Sequence, residues 1–502
     1  MILSTDNLKN ISVPGLQKPG MEIFDLPKRV LQFGTGVLLR GLPDYFIDKA
    51  NRQGIFNGRV VVVKSTDTGS ADDFVKQDGL YTIYSKGIEN GKEISEQVIC
   101  SAISDVLSAS NDWPAILNLA ASTDLQIVIS NTTEVGIQLV EEDIDQQPPL
   151  SYPGKLVAVL YKRYKAFGGS AVSGLIIIPT ELIVDNGKKL KSIVLELARF
   201  NKLEGEFIDW LENHNTFCNS LVDRIVPGKP AKDLATALEN ERGYGDNLHI
   251  MSEIYSLWAI EGDERVAQIL SFSKADDSVV ITPDIEIYRE LKLRLLNGSH
   301  TLSCAVAIIS GLDTVKEAMD DNEFSQFITE LAYKEIIPSI PYKIEPQVAA
   351  DFAGKVLDRF RNPHIRHEWL SISVQYTAKI KMRVIPLLLN YYKLNNTVPA
   401  NIGLGFAAFI RFMKIEKSSD GTYKGSINQK EYNVTDNQAV YFSEVWENGD
   451  PSRVVEEVLS NKSLWDADLT ALPGFKEEVL KNLNKILAAG EKEIILPELH
   501  QL

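Results

Sequence analysis

Cysteine is nearly absent: the chain of 502 residues holds three, Cys100, Cys218 and Cys304, far apart and without a CxxC spacing. That excludes a disulfide framework and a cysteine-based zinc site, and it fits a reducing cytoplasm. Histidine is scarce as well. Of six, only His364 and His367 lie close together, in NPHIRHEW. An HxxH pair with no third ligand nearby reads as two surface histidines, so no catalytic metal is expected. Positive charge is in deficit, with 52 Lys and Arg against 68 Asp and Glu and a net charge of −16. A surface for nucleic acid needs clustered cations, so no nucleic-acid partner is expected. No apolar run approaches the roughly 18 residues that span a bilayer, and MILSTDNLKN lacks a basic stretch followed by an apolar core. The expectation is a soluble cytoplasmic protein without a membrane partner.

What is present divides near residue 283. Residues 1–283 alternate short apolar runs with helical patterns: KRVLQFG, LPDYFIDKANRQG, GRVVVVKS, DLQIVISN, a helix around KLVAVLYKRY, then SGLIIIPT. Continuous Val and Ile runs separated by amphipathic helices predict βαβ units and a parallel sheet buried on both faces. Residues 284–502 turn to long helical stretches, among them IYRELKLRLL, QVAADFAGKVLDRF, GFAAFIRFMK, SRVVEEVLSN and FKEEVLKNLNKILAAG. The polar stretch 418–436 reads as a loop or small hairpin insertion. The fold class expected is α/β, a Rossmann-type dinucleotide-binding domain followed by a mostly α-helical domain that binds substrate.

After the first strand, FGTGVLLRG puts Phe33, Gly34, Thr35 and Gly36 where a pyrophosphate needs close backbone approach and a following helix. The third glycine of the usual GxGxxG is Leu39, so the fingerprint is incomplete. The next strand, RVVVVK, ends in Lys64, Ser65 and Thr66, with Asp67 slightly late for a ribose ligand. Lys64 and Ser65 suit a 2′-phosphate equally well. At the C-terminal edge of the next strand, SNTTEVGI places Asn131, Thr132, Thr133 and Glu134 where open α/β sheets bind ligands. The same residues also read as a helix N-cap followed by an exposed Glu. Asn186 and Gly187 in TELIVDNG read as turn residues, and Asp223 with Arg224 in NSLVDRIVP reads as a structural ion pair.

The stretch KLRLLNGSHT, 292–301, carries the chemistry. At roughly 100° per residue, Asn297 lies about 140° and His300 about 80° around a helix from Lys292, so the three share one broad face. A rise of roughly 1.5 Å per residue spreads Lys292 and His300 over about 12 Å. A bland helix would leave Lys292 in solvent and end at Asn297 with Gly298 as its C-cap. Beside a nucleotide-binding half, the cation, amide and imidazole instead suit a carbonyl that gains negative charge as hydride reduces it. Lys292 supplies charge and proton, Asn297 a hydrogen bond to the same oxygen, and His300 a hold on a neighbouring hydroxyl.

KLRLLNGSH matches the K-x-x-x-x-N-x-x-H signature of the polyol-specific long-chain dehydrogenases, and the chain resembles that mannitol dehydrogenase family. The resemblance continues through FGTGVLLRG, YTIYSKG, SNTTEVGI, NSLVDRIVP and RNPHIRHEW. It implies NAD as cofactor, no zinc, Lys292 as general acid and base, and Asn297 and His300 on the reacting oxygen and its neighbour. TTEVGI, TELI followed by NG, and LLNGSHT are most similar to members that reduce a keto-uronate, a sugar-acid substrate. Such a substrate needs a cation beyond Lys292, for which Arg361, His364, Arg366 and Lys379 are candidates, with Asp223 a further substrate ligand. One departure stands out: mannitol dehydrogenases carry Cys-Asp-Asn where this chain has Thr180, Glu181 and Leu182. Leu182 cannot donate the hydrogen bond of that Asn. Alternatives are a sibling substrate (fructuronate, mannitol or fructose, or a phosphorylated polyol) and, more remotely, a nucleotide sensor without turnover. Either a monomer or a small homo-oligomer accords with the sequence.

Overall fold

The computed structural model describes residues 1–64, 71–132, 136–427, 429–447 and 449–488. It has two compact units, Met1–Lys86 with Glu93–Ile285, and Gly87–Lys92 with the residues from Glu286 onward.

The first unit is built on a six-stranded sheet. Its spatial order is Ile103–Ser108, Arg59–Lys64, Lys28–Phe33, Ile127–Ser130, Ile176–Pro179, Thr216–Phe217, and all its neighbours pair in parallel. Numbered along the chain, this is the order 3-2-1-4-5-6 of a Rossmann sheet, as expected. Both faces are covered, which explains the unbroken apolar runs. Val30, Val60, Val62, Ile127 and Ile129 join Phe46, Ile47 and Ala50 of helix Pro43–Arg52 in one core. Leu31, Phe33, Val61, Val63 and Val128 join Leu156 and Leu160 of helix Tyr152–Phe167 and Leu190 of helix Asn186–Phe200 in the other. The order reverses between Lys28–Phe33 and Ile127–Ser130, and the C-terminal ends of those two strands are where sheets of this kind bind a dinucleotide.

Two further sheets have no counterpart in the sequence reading. One orders Leu16–Gln17, Lys92–Cys100, Tyr81–Glu89 and Ile250–Glu253; the other orders Ser220–Asp223, Leu257–Glu261 and Val279–Thr282.

The second unit is helical, as its periodicity predicts. Helices Ser299–Ile309, Ala400–Phe412 and Phe475–Ala488 pack in sequence. They close on buried Leu302, Phe406, Phe409 and Phe475, with Trp465 edge-on to both Phe406 and Phe409. Helices Ser299–Ile309 and Ala400–Phe412 touch at Gly405, where an added Cβ would lie 2.9 Å from the Leu302 carbonyl oxygen. The polar insertion forms a small antiparallel sheet of Ile415–Lys417, Tyr423–Ile427 and Lys430–Val434. Three segments wind more loosely, as π-helix: Lys292–Gly298, Leu331–Ile336 and Ile380–Val384. The first contacts both of the others.

Candidate active site

The first unit presents a cradle at the point where the strand order reverses. Phe33 ends its strand buried, with its ring 5.0 Å from that of Tyr152. Gly34 has φ +126°, a conformation for glycine alone, and a Cβ there would meet Leu39 Cδ1 at 2.9 Å and the Asn131 carbonyl oxygen at 3.0 Å. Thr35 leads to Gly36, which precedes the first helical residue, Val37. A Cβ on Gly36 would meet nothing within 4 Å. The backbone therefore borders open space where a pyrophosphate would lie. Leu39, at the place of the missing third glycine, is fully buried beneath Gly34.

Opposite this cradle, Asn131 donates through Nδ2 to Thr180 Oγ1 at 2.9 Å and to the Thr180 carbonyl oxygen at 3.1 Å. Thr132 donates to Glu181 Oε1 through its backbone N at 2.8 Å and its hydroxyl at 3.0 Å, and Ser130 Oγ donates to Glu181 Oε2 at 3.2 Å. Glu181 is a residue the sequence reading missed as a contributor. Buried, with its carboxyl raised above the usual range by desolvation, it anchors the edge that carries Asn131 and Thr132. Leu182 beside it is 63% exposed. Lys64 ends its strand buried. Ser65, Thr66, Asp67, Thr133 and Glu134 lie outside the described residues. Asn186 is structural: its amide donates to Pro179, Glu181 and Ser220 carbonyls and its oxygen accepts from the backbone N of Gly187 and of Ser220.

Asp223 ends the strand Ser220–Asp223, buried. Its neighbour Arg224 donates to the carbonyls of Glu253 and Gly41 and to Ser85 Oγ, and stacks over Tyr45 at 4.6 Å. Every hydrogen bond of that guanidinium goes to a neutral oxygen, so the ion-pair reading does not describe Arg224.

In the second unit the helix expected at Lys292 is present, but its winding differs. A π-turn bonds i to i+5, and Lys292 and Asn297 stand five apart, so this winding brings the two towards one face, closer together around the axis than the about 140° of an α-helix. Within the turn only Lys292, Leu293 and Asn297 escape full burial. Gly298 has φ −67° and the helix runs on through it into Ser299–Ile309, which removes the C-cap reading. Thr301 Oγ1 donates to the Asn297 carbonyl at 2.7 Å, an oxygen at the join between the two windings. On the far face, Arg294 binds Glu290 at 2.9 Å and donates to the carbonyls of Met382 at 2.7 Å and Arg383 at 3.0 Å, tying this π-turn to that of Ile380–Val384.

One turn beyond Asn297, the His300 ring stacks on Phe360 at 4.1 Å and 13°, edge-on to His367 at 5.1 Å and Trp369 at 5.9 Å. Its Nε2 is buried without a hydrogen-bond partner. Burial, then the charges of His367, Arg359, Arg383 and Lys379, hold its pKa well below the ordinary value, so the imidazole is neutral. Of the four cations read from the sequence, Lys379 is among the charges acting on it. The ammonium of Lys379 donates to the Ile372 carbonyl at 2.8 Å. Arg361 lies 3.9 Å from Asp358, His364 is exposed, and Arg366 is exposed and donates to Glu368 at 2.9 Å. Arg359 and Arg383 were not anticipated, and His367, read as a surface histidine, is instead half-buried and packed edge-on to His300. Among the described residues, no group of three or more His, Cys, Asp or Glu is gathered as a metal site, and no helix is long and apolar enough to cross a membrane.

The model of the mannitol dehydrogenase Rossmann domain matches residues 28–274, and that of the mannitol dehydrogenase C-terminal domain matches residues 284–487. The chain belongs to the mannitol dehydrogenase family. It is an NAD-linked oxidoreductase acting on a CH–OH group. An altronate oxidoreductase of Bacillus subtilis (strain 168) is 38% identical over 484 residues, 95% of this chain and 97% of its own. One from Escherichia coli (strain K12) is 37% identical over 480 residues, 94% and 97%. Among solved structures, a substrate-free D-sorbitol dehydrogenase superposes with TM-score 0.78 at 21% identity over 98% of this chain and 99% of its own. A Pseudomonas fluorescens mannitol 2-dehydrogenase, in ternary complex with NAD and D-mannitol, superposes at 0.65 and 21% identity over 100% and 99%. These two share the fold of this family member.

Proposed function

We propose that this dehydrogenase interconverts altronate and tagaturonate, with Lys292 as general acid and base. The observation that carries the reading is the π-turn, which brings Lys292 and Asn297 towards one face, one turn before a neutral His300 whose Nε2 has no partner. The names of the relatives support the substrate. The cradle of Gly34 and Gly36, with Asn131 and Thr132 opposite, fits a dinucleotide: the open space over Gly36 is what a pyrophosphate requires. NAD, when bound there, accepts or delivers the hydride.

The chain's own groups do the rest. In reduction, Lys292 Nζ gives its proton to the carbonyl oxygen as charge develops there, and in oxidation it takes that proton back. The Asn297 amide donates to the same oxygen and steadies the negative charge. Leu182 offers no donor, so Asn297 acts without the second amide of the mannitol enzymes. His300 is held neutral by burial and its cationic neighbours, with Nε2 unpartnered, and in this reading it binds a hydroxyl beside the reacting carbon. Lys379 contributes positive charge towards an acidic substrate. A charge of the kind a metal ion supplies elsewhere is here an ammonium.

The test is oxidation of NADH and of NADPH with tagaturonate, fructuronate, fructose and fructose 6-phosphate. Tagaturonate with NADH is expected to give the highest kcat/KM. A higher value on fructose would overturn the substrate, and a higher value with NADPH the cofactor preference.

A further inference from the structure

We infer that Arg383 is a specificity-determining residue that binds the carboxylate of the substrate. The inference rests on the sugar-acid reading above and deepens it. Arg383 sits in the π-turn Ile380–Val384, packed on the π-turn of Lys292 and Asn297. Its Nη1 donates to Thr301 Oγ1 at 3.1 Å and lies 3.5 Å from the Asn297 carbonyl oxygen. The guanidinium thus rests against the turn that carries both Asn297 and His300.

Its charge is uncompensated. No carboxylate lies within ion-pairing distance of Arg383 among the described residues, its Nε is buried without a partner, and Nη2 makes no hydrogen bond. Burial lowers its pKa to about 10. The fixed charges felt at His300 are cations too, Arg359 and Lys379, while burial and those same cations lower the pKa of His367. Asp436 acts on Lys379, but its oxygens accept from the backbone N of Thr377 and of Gln438. Desolvating a guanidinium among like charges is unfavourable, and an apolar side chain of similar volume would fill the space better. A site built this way is completed by an anion. Nη2 is the donor available for it, and a keto-uronate brings a carboxylate several bonds from the carbonyl that Lys292 and Asn297 address. The same charge would suit a phosphate ester, so the test includes one.

The experiment compares Arg383→Gln and Arg383→Lys with the wild type on three substrates. These are tagaturonate, the neutral ketose in which a hydroxymethyl group replaces its carboxylate, and fructose 6-phosphate. Loss of a charge-assisted hydrogen bond predicts that Arg383→Gln raises KM for tagaturonate about 10- to 100-fold. Its kcat/KM on the acid should fall at least ~10-fold more than on the neutral ketose. Arg383→Lys, which keeps the charge, should show the same preference lost in smaller measure. Equal losses on acid and neutral substrate would mean that Arg383 only staples the Asn297 turn, and would overturn the inference. So would an unchanged KM for the acid, or a loss confined to the phosphate ester. Should Arg383→Gln fail to fold by circular dichroism, Arg383→Lys is read by the same ratio. If the wild type turns over no tagaturonate but does act on fructuronate, the altronate reading fails and Arg383 is judged on fructuronate; a wild type that prefers the neutral ketose overturns both.

Discussion

Lys292 and Asn297 stand five residues apart within one π-helical segment, so side chains that an α-helix would point about 140° apart are brought towards one face. Insertion of such a turn into a helix is costly in regular hydrogen bonding. It is secured by the Thr301 hydroxyl on the Asn297 carbonyl and by Arg294 on the neighbouring turn.

The two glycines of the cradle should separate stability from binding. Gly34→Ala forces φ +126° on a residue with a Cβ and brings that Cβ within 3.0 Å of Leu39 and Asn131, so both the melting temperature and NADH affinity should fall. Gly36→Ala has ordinary φ of −61° and open space, so thermal stability should hold while the Kd for NADH rises ~10-fold or more. Calorimetry and fluorescence titration of the two variants check this. Unchanged NADH binding in Gly36→Ala would place the pyrophosphate elsewhere.

Asp44 should make the first unit less stable as pH rises. Its carboxyl is fully buried, with Oδ2 accepting from Gln32 at 3.3 Å and Oδ1 unpartnered, and burial raises its pKa to about 7. Between about pH 4 and that value the folded chain keeps a proton that the unfolded chain has released. The stability this group contributes is present below pH ~4 and lost on the way to ~7. Asp44→Asn, neutral throughout, should melt higher than wild type at pH 8 and show a flatter profile from pH 4 to 7. A lower melting temperature at pH 8 would show that the charged form is the stabilising one.

His300 should act through binding and not by titrating. Its pKa is held low by burial and by the cations Arg359, Arg383 and Lys379 beside His367, so acidifying from pH 8 to 6 should leave the imidazole neutral. His300→Ala is expected to raise KM at least as much as it lowers kcat, and to do so equally at pH 8 and pH 6. A KM effect that vanishes at pH 6 would mean that the wild-type imidazole had protonated.

Much of this was legible in the sequence, and the reasons for the rest are physical. Buried parallel strands leave continuous runs such as RVVVVK and LIIIP, and Gly34 stands where a positive φ demands glycine, with Gly36 bordering open space. The hairpin Tyr81–Glu89 and Lys92–Cys100 turns at Asn90 and Gly91, both at positive φ, an Asn-Gly signal present in the chain but passed over. The π-turn left no mark, because Leu295 and Leu296 are buried in either winding. Arg359, His367 and Arg383 come from three separate segments, and only the packing of helices around Phe360 and Trp369 gathers them at His300. Glu181 was noted as a departure from a pattern; its three hydrogen bonds to Ser130 and Thr132 depend on two strands lying side by side.

Asn297 should behave as a single oxyanion donor. With Leu182 unable to help, Asn297→Ala is expected to lower kcat by roughly 100- to 1,000-fold with little change in NADH affinity. A loss under ~10-fold in Asn297→Ala would remove Asn297 from the reacting oxygen.

The most direct measurement is single-turnover hydride transfer from NADH in Lys292→Ala, followed by the loss of NADH absorbance with tagaturonate. If Lys292 supplies both the proton and the charge facing the developing alkoxide, the rate should fall by several orders of magnitude. NADH should still bind, and added primary amines should restore part of the rate in proportion to their basicity. A folded Lys292→Ala enzyme that transfers hydride at a near wild-type rate would contradict Lys292 as the acid and base, and would leave KLRLLNGSHT a packed helix with polar residues at its edge.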